Sequence, residues 1–234
     1  MIESNEVSTI ALQRAKLGLR AVTAELPHLG GLARIVRIRA SSRVSVAAIS
    51  ATGLILINPE LFATLEMANV VYILAHEMLH IALDTFSRGE GSDALAVNLA
   101  HDAVINDILT NELGREPPLN GVNVPGARTS SLEALLAQAR NSADQGHESW
   151  NNPKWHSSKR PAAKSDMAIA LEKAGLLAPD SSADSGSQAS QGSSVGQGDL
   201  ISPELEREFE PQQTIEKQKL KRTEIRRAGT VAVG

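Results

Sequence analysis

Residues 76 to 80 read His-Glu-Met-Leu-His, a pattern that places two imidazoles and a carboxylate at spacings suited to metal-assisted hydrolysis. On a helix, His76 and His80 project from one face about one turn apart, so both can ligate a single ion. Glu77 lies beside them, where its carboxylate can take a proton from a metal-activated water. The sequence contains no cysteine. Thiolate ligands and disulfides are therefore excluded, and a metal here must use His, Asp or Glu, a donor set that suits Zn2+.

These residues sit in an apolar segment, Leu65 to Phe86, without glycine or proline. Its flanks, Val70 to Ala75 and Ile81 to Leu83, are apolar almost all the way round, which predicts a buried central helix within 60–86. Burying two His and a Glu without partners would cost several kcal/mol, so something must satisfy them. Upstream, residues 7–26 carry Ile10, Leu12, Leu17, Leu19, Val22 and Leu26 and read as an amphipathic helix ended by Pro27. Arg43 to Ser50 and Leu54 to Ile57, with Thr52-Gly53 between them, read as two strands, and Arg34 to Arg39 as a third. Asn58-Pro59 then ends the sheet.

Downstream, Gly89 and Gly91 break the chain before a helix at 93–113, which Gly114 and the Pro117-Pro118 pair stop. A shorter helix is expected at 130–140. Residues 141–200 are rich in Ser, Gly, Asn, Gln, Ala and Asp and read as a largely disordered linker, with a piece of helix at 164–175. Pro203 opens a charged helical tail that continues to about Arg227. The expected organisation is a catalytic domain at 1–140, the linker at 141–200 and the tail at 201–234.

Composition bounds the function. Of the 234 residues 42% are hydrophobic, ample for a core, and only 3% are aromatic, so Ala, Leu, Ile and Val supply an apolar mass suited to a mainly helical fold. No apolar run reaches the length of a membrane span, and the N-terminus lacks the basic start and apolar stretch of a signal peptide, so the expected compartment is the cytoplasm. A net charge of −4 gives no reason to expect nucleic acid as a partner. The basic residues from Lys217 to Arg227 are interleaved with Glu216 and Glu224 and read as a solvated helix face.

A catalytic zinc takes three protein ligands and keeps a position open. The distal candidates are His101 and Asp102 on the helix at 93–113. On a helical wheel, Asn98, Asp102 and Asn106 form a polar stripe at i, i+4 and i+8, running through the face of Ala94, Leu95, Leu99, Ile105 and Leu109. The opposite face, with Ala96, Ala100, Ala103 and Asp107, is expected to meet solvent. A carboxylate in the buried face must find a cation or several donors, which favours a ligand role for Asp102. His101 falls on the other flank of the same apolar arc, so geometry alone leaves the two even.

The set Asn58-Pro59-Glu60, Leu74 to Leu83, Arg88, and Asn98 to Asn106 resembles the metallopeptidase domain found N-terminal to VWA-like domains in bacterial and phage proteins. The likeness covers about residues 5–140. Its Asn-x-Ala-x-Asp-x-x-x-Asn pattern matches Asn98, Ala100, Asp102 and Asn106, and implies Asp102 as third ligand with His101 as the alternative. It also implies a zincin-like α+β fold, a small sheet packed on a helix bundle. Where a VWA-like half would follow in that family, residues 201–234 resemble only its helical lead-in.

Around this core, Asn98 and Asn106 read as supports of the ligands. Asp84, one turn past His80, either accepts a hydrogen bond from a ligating imidazole or faces solvent at the helix end. Arg88 either orients a substrate carbonyl or caps the helix. Tyr72 either polarises a carbonyl or belongs to the core. His28, His147 and His156 carry no assignment. The expected function is zinc-dependent hydrolysis of a peptide or protein, with Glu77 as general base and the substrate along the edge of Leu54 to Ile57. The alternative is an inactive metal-site adaptor module in a larger assembly, reaching a protein partner through the linker and tail.

Overall fold

The computed structural model describes residues 2–88, 94–131, 134–135, 137, 200–211 and 215–233. The expected linker at 141–200, with its helical piece at 164–175, lies outside them save for Leu200. So do most of the residues expected as a helix at 130–140.

The described residues are mainly helical, with one small mixed sheet. Helix α1 (Ile2–Glu25) leads through a 3-10 turn to α2 (Gly30–Ile35) and strand β1 (Arg37–Ala40). Strands β2 (Ala47–Ile49) and β3 (Leu54–Ile57) follow. Ser50 to Gly53 makes the turn between them, with Gly53 at φ 77°, a left-handed conformation that favours glycine. The order is β1-β3-β2, with β1 parallel and β2 antiparallel to β3. Leu54 to Ile57 is therefore the central strand, paired on both sides, and not the free edge expected to receive a substrate. The sequence masks this because β2 and β3 are buried on both faces and show no alternation. Ile49, Ile55 and Ile57 face the main core, while Ala48, Leu54 and Leu56 pack under Ile201 and Leu205 from the far end of the chain.

Asn58 caps α3 (Pro59–Thr64), its Oδ1 accepting from the Glu60 and Leu61 amides. The expected single helix over 60–86 is three. Leu65 turns out to ψ 146°, and α4 (Met67–Ala82) starts afresh after it. Arg14 of α1 donates to the carbonyls of Phe62 and Leu65, satisfying the end of α3. Asp84, at φ 57°, turns the chain into α5 (Thr85–Arg88).

Helix α4 is buried from Val70 to Ala82 because helices cover it on several sides. Along α1 the buried seam is Ala11, Ala15, Gly18 and Val22, while Leu17 and Ile10 are exposed. Small residues line this seam because α1 lies close: a side chain on Gly18 would stand 2.7 Å from Val70. Helix α6 (Ala94–Leu113) packs along another side of α4. The tail forms α7 (Pro203–Phe209) and α8 (Ile215–Val233), and Gly229 of α8 approaches the backbone of Ile81 and Ala82. No helix among the described residues is long and apolar enough to cross a membrane.

The expected solvent face of α6 is not one. Ala100, Ala103 and Asp107 are buried, because the segment after α6 folds back over them. Asp107 accepts from the amides of Gly126 and Arg128 and from the Arg128 guanidinium, and Leu135 packs on Val97 and Ala100.

Candidate metal centre

The imidazoles of His76 and His80 project from the C-terminal half of α4, and the carboxylate of Asp102 on α6 meets them. The Nε2 atoms of the two histidines are 3.1 Å apart. Asp102 Oδ1 lies 3.5 Å from His76 Nε2 and 3.4 Å from His80 Nε2. A tetrahedral zinc with N and O ligands at about 2.0–2.1 Å has ligand atoms about 3.3 Å apart. The triangle formed by these three atoms matches one face of that tetrahedron, so the residues present fit a divalent ion.

Each of the three side chains is held from behind. The side-chain amide of Asn106 donates through Nδ2 to the Val122 carbonyl at 2.9 Å, which fixes its orientation and turns Oδ1 to His76 Nδ1, also at 2.9 Å. Since that oxygen only accepts, neutral His76 carries its proton on Nδ1 and leaves Nε2 as a lone pair for an ion. The Tyr72 hydroxyl donates to the backbone carbonyl of Asn106 at 3.1 Å and is buried, which pushes its pKa up to about 12. Tyr72 is thus part of the packing that holds Asn106. Asn98 Nδ2 donates to Asp102 Oδ2 at 3.0 Å, leaving Oδ1 as the oxygen turned toward the histidines.

His80 is wholly buried. Burial, followed by the nearby His76 and His101, pushes its pKa well below the ordinary imidazole range, so it is neutral and competent as a ligand. Its Nδ1 faces the Thr85 hydroxyl at 3.3 Å, and that hydroxyl also lies 3.0 Å from His101 Nδ1. His101 is buried but is not one of the three residues that converge. Glu77 is buried in α4 next to His76 in sequence.

Asp84, expected as a possible acceptor for an imidazole, pairs instead with Arg226 of α8 at 2.7 Å. Thr85 stands there instead, its hydroxyl 3.3 Å from His80 Nδ1. No periodicity flags it, because it reaches His80 only through the left-handed turn at Asp84. Arg88 is exposed at the end of α5. His28, left unassigned, approaches Glu112 at 3.6 Å near the end of α6. His147 and His156 lie outside the described residues.

A family model described as "putative metallopeptidase domain" matches residues 11–228. The match reaches through α7 and most of α8, beyond the residues 5–140 that carry the motif resemblance. No curated protein and no solved structure gives a match.

Proposed function

The chain belongs to the putative metallopeptidase domain family, and from that premise we propose that it is a zinc-dependent peptidase of zincin type, acting on peptide or protein substrates. His76, His80 and Asp102 hold the ion in this reading, and Glu77 is the general base. The observation that carries it is the triangle of Nε2, Nε2 and Oδ1 atoms at 3.1 to 3.5 Å, set between two helices and braced by Asn98 and Asn106.

Zinc bound there supplies Lewis acidity, which lowers the pKa of a water toward neutrality and polarises a carbonyl. The chain's own residues do the rest. Burial holds the His80 ring neutral, and with Nδ1 of His76 turned to Asn106 both histidines direct Nε2 at the ion. Asp102 contributes the negative charge. The Glu77 carboxylate accepts the proton of the attacking water and returns it to the leaving amine. A structural metal site has no need of a carboxylate at this place.

The test is hydrolysis of a quenched-fluorescent peptide library by zinc-loaded protein, with Glu77→Gln beside it. The expected result is cleavage by the parent and a loss of about 100-fold or more in the variant, with bound zinc unchanged. Cleavage at the parental rate by Glu77→Gln would remove the general base from the account. A zinc-loaded parent that cleaves nothing would leave the adaptor module.

A further inference from the structure

We propose that Thr85 and His101 form a positioning relay that sets the tautomer and ring orientation of His80; this rests on the reading of His76, His80 and Asp102 as metal ligands. The Thr85 hydroxyl sits between two buried imidazoles, 3.3 Å from His80 Nδ1 and 3.0 Å from His101 Nδ1. All three side chains are at most 1% exposed. One hydroxyl has one hydrogen to give and lone pairs to receive with.

The direction of the chain follows from the ligand geometry. His80 turns Nε2 toward His76 Nε2 and Asp102 Oδ1, so as a ligand it presents that nitrogen's lone pair. A neutral imidazole then carries its hydrogen on Nδ1 and donates it to Thr85 Oγ1. The hydrogen of Thr85 must go to its other neighbour, so it is donated to His101 Nδ1. His101, an acceptor at Nδ1, is thereby fixed as the Nε2–H tautomer. Thr85 does for His80 what Asn106 does for His76, and His101 acts through Thr85 without touching the ion. Buried partners of metal-bound histidines typically alter metal affinity about 10- to 100-fold when removed.

The relay also explains why two histidines and a threonine share one buried spot beside the ligand cluster. With Nδ1 engaged by Thr85, His101 keeps its ring directed at the turn between α4 and α5. Asp102, the next residue along α6, is left to face the histidines of α4.

The experiment measures zinc affinity by competition with a chromophoric chelator for the parent, Thr85→Val and Thr85→Ser. Histidine 15N NMR of the zinc-loaded full chain reads the tautomers. Valine keeps the shape and removes the hydroxyl, and the expected loss is about 10- to 100-fold in affinity. Serine is expected to recover most of that loss. In the parent, His80 should be protonated on Nδ1, and His101 on Nε2 with Nδ1 bare. Parental affinity in Thr85→Val, or His101 protonated on Nδ1, would overturn the relay while leaving the metal site standing. A parent that binds no zinc would overturn the metal reading and the relay with it. Should Thr85→Val fail to fold, the tautomers of the parent still decide the question.

Discussion

Two clusters of charged and polar groups, one between α7 and the sheet and one between α4 and α6, are built on opposite logics. Behind the sheet, Glu206 of α7 accepts from the hydroxyls of Ser50 and Thr52. Arg37 of β1 forks onto Glu210, at 2.6 and 3.0 Å, and also donates to the Thr52 carbonyl and hydroxyl. Every contact there joins a donor to an acceptor, so the cluster fastens α7 to the sheet. Between α4 and α6, by contrast, His76, His80 and Asp102 bring Nε2, Nε2 and Oδ1 to one another, while the Nδ1 atoms of the two rings face Asn106 and Thr85. A closed network reads as structure. A convergence of lone pairs reads as a place for a cation.

The largest expected effect that separates the clusters is on chemistry. Glu77→Gln should reduce peptide hydrolysis by about 100-fold or more, whereas Arg37→Met should leave the turnover of folded, zinc-loaded protein close to parental. Progress curves at matched zinc occupancy check this, and equal losses in both variants would erase the distinction. On stability the order reverses. Arg37→Met removes the fork on Glu210, which keeps Lys221 at 3.6 Å, and should cost about 1–3 kcal/mol in urea unfolding. Chelating the metal should also lower the unfolding midpoint of the parent, since a ligand at about 100 times its Kd contributes about 2.7 kcal/mol. An identical midpoint with and without zinc would argue against the site.

Removing a supporting amide is a smaller perturbation. Asn106→Ala should weaken zinc binding about 10- to 100-fold, measured by chelator competition, while Glu206→Gln should leave that affinity unchanged. The smallest effect is with pH, in chelator-treated protein. His80 is depressed below 6.5, so as pH falls through that value the unfolded chain takes up a proton that the folded one refuses. Stability should therefore begin to fall below about pH 6.5, by up to about 1.4 kcal/mol per unit from this residue, until the folded pKa is reached. Burial would raise Glu210, but the hydrogen bond and charge of Arg37, with Lys221 and Arg39, hold it below 4.5. Its contribution is present above 4.5 and is lost as pH falls through the lower folded value. Urea midpoints should begin to decline below about pH 6.5 and decline further below about pH 4.5, and a decline that begins only below pH 4.5 would contradict the assignment of the first to His80.

The same contrast separates what the sequence discloses from what it conceals. The α4 histidines are legible because they interrupt an apolar run at i and i+4, and the stripe of Asn98, Asp102 and Asn106 is legible at i, i+4 and i+8. Both signals lie within one helix. Thr85 is not legible, since its approach to His80 depends on a left-handed residue at the helix end. The central place of β3 was hidden for another reason: its second face is covered by Ile201 and Leu205, roughly 150 residues onward. Asp107 looked solvent-facing for the same cause, because Gly126 and Arg128 return over it. Sequence periodicity reports a helix or strand and its near side, whereas contacts made by distant segments leave no local trace.

The most direct measurement is the zinc content of the purified full chain by elemental analysis, set beside Asp102→Ala and Arg37→Met. One zinc per parent chain is expected, lost in Asp102→Ala and retained in Arg37→Met. Zinc absent from the parent after supply of the ion, or retained at full stoichiometry in Asp102→Ala, would contradict the assignment of the α4–α6 cluster as the metal site.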